Sequence, residues 1–259
     1  MDSTASSLAG RQTIRLRALT GHDERALDRA DSRAAMELIA RTSGSQGDGT
    51  LSQAQVASMT AFERDRALAE VYIGLYGDAI ESTLRCNVCG KPFDIKFNLV
   101  DLMKQRQPDA LTATALGDGT FRMPDGLRFR LPCGEDELSV LHLSANEAVR
   151  ELLLRCVLEA PAGADPAAVE EAMEQVAPIL DADIASSCPE CGAAVQVRFD
   201  LQAYLLQSIL QDRRRLWRET HMLASAYKWS LDEIHSLTRA DRRTLVSMIE
   251  ADSARRLAV

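Results

Sequence analysis

No run of apolar residues in the sequence approaches the length of a bilayer, and no basic-then-apolar leader stands at its start. A soluble cytoplasmic protein is therefore expected. Aromatic residues are scarce, at 5%, whereas Ala, Leu and Arg are abundant, which favours helix. The four histidines, His22, His142, His221 and His235, are too dispersed to form a site and are expected as surface or core residues. A glycine-rich phosphate loop is missing, and no Ser or Cys sits in a nucleophile motif, so no catalytic constellation competes and an enzyme is not expected. The chain also lacks a positive balance: its net charge of −8 argues against broad nucleic-acid binding.

Against these absences stands a motif that occurs twice. Cys86-Asn87-Val88-Cys89-Gly90 is followed by Lys91-Pro92-Phe93-Asp94-Ile95-Lys96-Phe97, and 102 residues later Cys188-Pro189-Glu190-Cys191-Gly192 is followed by Ala193-Ala194-Val195-Gln196-Val197-Arg198-Phe199. The residue after the second cysteine of such a turn takes a positive φ, which glycine accepts without a Cβ clash. The alternation of Phe93, Ile95 and Phe97, and of Val195, Val197 and Phe199, predicts a half-buried strand after each knuckle. Brought together, Cys86, Cys89, Cys188 and Cys191 make a tetrahedral four-sulfur site, the pattern of structural zinc. A thioredoxin-like redox pair wants a single motif opening a helix; disulfides or plain buried thiols are the other readings. Four cysteines close the coordination shell, so the Zn2+ expected here holds structure and does no chemistry. Cys133 and Cys156 lie outside the knuckles and are expected as small buried residues.

The length of 259 residues suffices for one large domain or two small ones. Residues 1–10 are Ser- and Ala-rich and expected loose. Ile14–Leu19 is strand-like, a helix is expected over 26–41, and Ser43–Thr50 is a loop. Thr60 and Glu63 form a capping box for a helix carrying Leu68, Tyr72, Leu75, Tyr76 and Ile80 straight into the first knuckle. Between the knuckles, Phe121–Pro132 reads as a β-hairpin turning at Asp125-Gly126. Helices follow over 136–142, 146–159 and 167–180, the last two separated by a Pro/Gly/Ala linker over 160–166. A single long helix is expected from Leu201 to Tyr227, then a short one capped by Ser230 and Glu233, and a last one opened by Thr238.

The expected fold is α+β and mainly helical: a split four-Cys zinc ribbon, an inserted α+β lobe and a helical C-terminal tail. Its divisions are an N-terminal helical region (1–85), ribbon halves (86–102 and 186–201), the lobe with its hairpin (103–185) and the C-terminal helices (202–259). In the last of these, Arg213, Arg214, Arg215 and Arg218 surround Trp217. The bland reading is a solvated basic face with Trp217 packed on the core; the sharper one is a docking face for an acidic partner.

The ending Ala224–Arg243 resembles the tail of small assembly proteins of contractile phage tails, with an aromatic-x-aromatic-Ser element at Tyr227, Trp229 and Ser230, then Glu233-Ile234-His235-Ser236-Leu237 and an Arg-rich final helix. Together with Leu19-Thr20-Gly21-His22-Asp23-Glu24, Glu63-Arg64-Asp65, the two knuckles and Phe129-Arg130-Leu131-Pro132, it makes the chain similar to the baseplate hub or baseplate hub assembly chaperone family of T-even-type phages and related contractile injection systems. That resemblance implies a structural or assembly role through contacts with baseplate, hub or tail proteins. It also implies a place in the cytoplasm of the producing bacterium or in the assembled tail. The expected partner-binding residues are Arg213, Arg214, Arg215, Trp217, Arg218, Tyr227 and Trp229. No small-molecule substrate or membrane is expected. A zinc-ribbon nucleic-acid-binding regulator is the alternative, supported by the ribbon and the Arg cluster and opposed by the acidic balance.

Overall fold

Strand pairing, rather than apolar alternation alone, shapes the knuckle regions in the computed structural model, which describes residues 14–44, 50–109, 113–161 and 165–257. The expected loose start over 1–10 lies outside them, as do most of the Ser43–Thr50 loop and part of the 160–166 linker. Helices α1 (Gly21–Ala26), α2 (Ser32–Thr42), α3 (Gln53–Ala57) and α4 (Ala61–Tyr76) precede a hairpin of β1 (Ala79–Arg85) and β2 (Pro92–Asn98) and the helix α5 (Leu99–Gln105). Then come β3 (Thr114–Ala115), β4 (Thr120–Arg122), β5 (Arg128–Arg130), α6 (Gly134–Val140), α7 (Ala145–Cys156), β6 (Val157–Glu159) and α8 (Pro166–Val176). A second hairpin, β7 (Asp181–Ser187) and β8 (Ala194–Asp200), leads to α9 (Leu201–Gln211), α10 (Arg213–Tyr227), α11 (Leu231–Ser236) and α12 (Arg239–Leu257).

Each knuckle is the tip of an antiparallel hairpin, so the strand after it has a partner before it. The first helix stops at Gly77 and β1 intervenes; the helix expected over 167–180 stops at Val176, and β7 follows. Pairing runs from Ala79 opposite Asn98 to Arg85 opposite Pro92, and in the second copy from Asp181 opposite Asp200 to Ser187 opposite Ala194. The 102-residue offset therefore holds contact for contact. Leu99 N–H donates to the Asp78 carbonyl (2.8 Å) and Leu201 N–H to the Leu180 carbonyl (3.0 Å). Asn98 and Asp200 cap α5 and α9 with their side chains. Phe97 and Phe199, equivalent residues, meet edge to face at 5.0 Å.

Three apolar clusters organise the chain. The largest is built from Leu19 and Leu27 flanking α1, from α2 to α5, and from β1, β7, β8 and α9, with Ile39, Leu68, Ile80, Leu99, Leu201 and Leu205 fully buried. A second, around Phe121, Phe129, Cys156, Val169 and Met173, sits between the four-stranded sheet β3-β4-β5-β6 and helices α7 and α8. A small third one, Cys86, Phe93, Ile95 and Cys188, lies under the knuckles. No cluster contains a residue of α10, α11 or α12. Burying a large aliphatic or aromatic side chain contributes about 1.5–3 kcal/mol, so the body and the 113–176 region each have a large apolar source of stability, whereas the C-terminal helices bury Leu216, Leu223 and Ile234 outside these clusters.

Several expectations are corrected. The Leu201–Tyr227 helix is broken at Asp212, whose carboxylate receives the Tyr76 hydroxyl (3.0 Å) and Arg239 (2.7 Å); both partners are distant in sequence. The strand-like Ile14–Leu19 makes only a single bridge, Leu16 with Ser43. The helix expected over 26–41 begins only at Ser32, because Asp31 accepts the Ala34 N–H and starts α2 there, while α1 has already ended at Ala26. The helix over 146–159 ends at Cys156, where Val157–Glu159 joins β5 as an edge strand. A short helix missed in the sequence, α3, closes its own capping box with Ser52 and Gln55. The boxes at Thr60/Glu63 and Ser230/Glu233 and the hairpin turn at Asp125-Gly126 form as expected.

Candidate metal centre and charged C-terminal face

The two hairpin tips meet. Gly90 and Gly192 both adopt φ 71°, in the region that favours glycine, and this folds each Cys-x-x-Cys back on itself. Gly90 N–H reaches the Cys86 carbonyl and Gly192 N–H the Cys188 carbonyl, both at 2.9 Å. The sulfurs of Cys86, Cys89, Cys188 and Cys191 all lie within 4.8 Å of one another. Across the hairpins, Cys86 Sγ is 3.7 Å from Cys191 Sγ, and Cys89 Sγ is 3.7 Å from Cys188 Sγ, two contacts that exchange when the halves are exchanged.

That spacing tests the chemistry. A metal with bonds to sulfur of about 2.3 Å at the centre of a regular tetrahedron sets the sulfurs about 3.8 Å apart, whereas a disulfide requires about 2.05 Å. The observed 3.7 Å fits the former. Backbone N–H groups of Cys89 and Val88 hold the Cys86 thiol down at about 6, favouring the thiolate that binds metal. The Ala193 N–H acts likewise on Cys191, but burial and the three neighbouring sulfurs push that thiol up to about 12. The site is a closed four-thiol shell compatible with a metal ion and offers no open coordination position. An ion pair missed in the sequence, Lys91 Nζ to Glu190 at 2.5 Å, also bridges the knuckles; its signal was opposite charge inside the two aligned motifs.

Cys133 and Cys156 lie elsewhere. Cys156 is fully buried, and burial pushes its thiol up to about 11. Cys133 corrects the expectation of a buried apolar residue: it is half-buried at the N-cap of α6, where its Sγ and N–H both face Asp136.

The arginine-rich face divides into residues used internally and residues left open. Arg213 reaches the carbonyls of Arg25 and Leu27, and Arg215 pairs with Glu219 at 3.1 Å. Arg214 and Arg218 are exposed, and Trp217 is 46% exposed instead of packed on the core, touching His235 edge to face and lying under Arg25. Tyr227 and Trp229 stack at 4.9 Å across Lys228, whose left-handed backbone (φ 61°) turns the chain from α10 to α11. A groove between α10 and α12 gathers Arg214, Arg215 and Arg218 against Arg243 and Val246. Sequence reasoning missed Arg243 as a member of this face, although Arg242-Arg243 is visible as a pair.

Beneath the face lies a buried charge network. Glu24 receives Arg239 (2.5 Å) and Arg242 (2.6 Å), and Arg242 also binds Glu219 (3.1 Å) and donates to the Leu237 carbonyl (2.9 Å). Arg242 is wholly buried. The arginines that mark the final helix in sequence thus turn inward at 239 and 242.

Among the described residues no helix is long and apolar enough to cross a membrane. No curated protein and no solved structure matches the chain. A family model described as T4 bacteriophage base plate protein matches residues 3–165, which include the first knuckle and the 113–161 sheet but not Cys188, Cys191 or the Ala224–Arg243 ending. The match covers more than half of the sequence, and the chain belongs to the T4 bacteriophage base plate protein family.

Proposed function

We propose that this protein is a non-enzymatic structural or assembly component of the baseplate or hub of a contractile tail, made rigid by one structural zinc ion on Cys86, Cys89, Cys188 and Cys191. The family supports a structural baseplate role, and the 3.7 Å sulfur spacing is the observation that carries the metal reading. Zinc joins two hairpins from distant parts of the chain and so fixes the body relative to the stretch between the knuckles. Arg214, Trp217, Arg218, Tyr227 and Trp229 supply the face that docks a baseplate, hub or tail protein. Exposed arginine and aromatic side chains suit this task, since both are enriched where interface energy concentrates. Arg213 and Arg215 brace that face. The protein assembles in the cytoplasm of the producing bacterium and acts there as an assembly factor or within the finished particle.

The test is to recover the tagged full-length protein from its producing host, identify its partners by mass spectrometry and measure metal in the same eluate. Tail-tube, hub or other baseplate proteins with about one zinc per chain are expected. A metal-free protein that keeps its melting temperature overturns the zinc reading. Reversing Arg214 and Arg218 to Glu is expected to abolish partner capture without moving zinc content or melting; retained capture removes this face from the proposal.

A further inference from the structure

The chain contains one joint built twice. A tongue, Arg17-Ala18-Leu19-Thr20-Gly21-His22-Asp23-Glu24, is repeated as Arg130-Leu131-Pro132-Cys133-Gly134-Glu135-Asp136-Glu137. A socket, Ser52-Gln53-Ala54-Gln55-Val56-Ala57-Ser58-Met59-Thr60 with Glu63 and Arg64, is repeated as Ser230-Leu231-Asp232-Glu233-Ile234-His235-Ser236-Leu237-Thr238 with Asp241 and Arg242. In each tongue a bidentate arginine grips the helix-capping aspartate: Arg17 on Asp23 at 2.6 and 3.0 Å, Arg130 on Asp136 at 2.6 and 2.8 Å.

The seating is the same in both joints. Gly21 N–H donates to the Leu237 carbonyl (3.2 Å) and Gly134 N–H to the equivalent Met59 carbonyl (3.1 Å). Thr20 bridges Thr238, and Cys133 bridges Thr60. Glu24 pairs with Arg242 at 2.6 Å and Glu137 with Arg64 at 2.7 Å, through equivalent atoms. A Cβ on Gly21 would come within 2.9 Å of the His235 Cα; one on Gly134 would come within 3.0 Å of the carbonyl oxygen of Ala57, the residue equivalent to His235. Glycine is required in both because backbone meets backbone.

The pairing crosses the sequence order: the first tongue closes on the second socket and the second tongue on the first. Recognition therefore resides in the motif itself, not in chain neighbours. The outer joint, Gly21 on Leu237, fastens α10–α12 to the body together with Arg213 on the carbonyls of Arg25 and Leu27, and these helices contribute nothing to the three apolar clusters. Their link to the body is Asp212, with backbone angles of −70° and −6°, already on the helical side. A small change in ψ there converts α9 and α10 into one continuous helix of about 40 Å, the helix that the uninterrupted Leu201–Tyr227 sequence favours.

We propose that the outer joint is exchanged between copies of this chain, the socket of one copy seating the Thr20-Gly21 tongue of another. Exchange reuses the Gly21–Leu237, Thr20–Thr238 and Glu24–Arg242 contacts of the closed joint and changes the hinge at Asp212 with its Tyr76 and Arg239 partners, which makes it a low-cost route to assembly. The partner that fits this socket is a second copy, because a matching tongue is carried by the chain itself.

The test uses two full-length, differently tagged copies produced together, one carrying Thr20→Cys and the other Thr238→Cys. The two positions form an antiparallel bridge, close enough for a disulfide. A chain carrying both substitutions reports the closed joint by an internal bond. Exchange is expected to give, under mild oxidation, a reducible species of twice the chain mass containing both tags, which Gly21→Arg in the tongue-bearing copy abolishes. An internal bond in the double variant with no mixed-tag species overturns the proposal. Failure of both bonds overturns it as well, since the joint would then not bring Thr20 and Thr238 together.

Discussion

The cysteine hairpins and the tongue-and-socket joints are both duplications, but the hairpins converge on one shared centre whereas the joints close at two separate places. A shared centre keeps its halves alike, since four sulfurs can surround one point only if each half delivers two of them at the same geometry. The separate joints have drifted. In the outer one, Arg242 spends Nε, Nη1 and Nη2 on Glu219, Leu237 and Glu24. In the inner one, Arg64 pairs with Glu137 alone and leaves Nε and Nη1 buried without a partner. The next residue differs in sign as well: Arg243 faces the open groove, while Asp65 is buried and accepts the Leu180 N–H at 2.6 Å, tying the inner joint to the second hairpin.

The largest expected effect breaks the hairpin symmetry. Because zinc binding in structural sites contributes on the order of 10 kcal/mol to folding, Cys86→Ser and Cys188→Ser should both unfold or aggregate the protein, and to equal extents. A melting curve unchanged in either variant would contradict a shared metal centre. The next effect separates the joints. Arg242→Ala strips a fully buried cation from two buried carboxylates and should cost about 3–5 kcal/mol, whereas Arg64→Ala also removes two unpaired donors and should cost about 1–2 kcal/mol. Equal losses in urea unfolding would mean that the joints have not diverged in energy.

Much of this comparison was invisible in the sequence, for identifiable reasons. The knuckles were legible because Cys-x-x-Cys-Gly is a local turn repeated without a gap, and the Thr60/Glu63 and Ser230/Glu233 boxes because each closes within three residues. Strands β1 and β7 were not: Glu81-Ser82-Thr83 and Asp183-Ile184-Ala185 have little apolar alternation, and their extended form is imposed by the strands across the hairpin. The break at Asp212 depends on Tyr76, 136 residues away. The second tongue could have been found by laying Cys133-Gly134 over Thr20-Gly21, but its recognition needs the socket, and the tongue and socket repeats are spaced differently. Likewise, the burial of Arg239 and Arg242 depends on Glu24, 215 and 218 residues away in sequence.

A smaller effect tests the close approach of the backbones. Gly21→Ala forces the backbone at His235 to move and should cost about 1–3 kcal/mol. Gly134→Ala first meets the Met36 sulfur, the far end of a flexible side chain, so its cost should be lower; the order of the two melting temperatures decides. The last effect is one of pH. Burial raises the Asp65 carboxyl to about 6, so the folded state holds this proton more tightly than the unfolded chain, whose carboxyl titrates near 3.9. Its ionisation then works against folding progressively as pH climbs from about 4 to 6, and fully above that. Asp65→Asn keeps an acceptor for Leu180 and should flatten stability across that window, leaving the protein at least as stable at pH 7. A steeper loss in the variant would show that the carboxylate itself is needed.

The spacing of the two knuckles also has a consequence in time. Cys86 and Cys89 leave the ribosome 102 residues ahead of Cys188 and Cys191. At about 5–20 residues per second, the leading pair spends about 5–20 s as half a site. During that interval the stretch carrying Phe121, Phe129 and Met173 emerges and can collapse on its own apolar cluster. Closure of the four-sulfur shell therefore waits on the last of its cysteines to be made, after the whole intervening stretch has been synthesised.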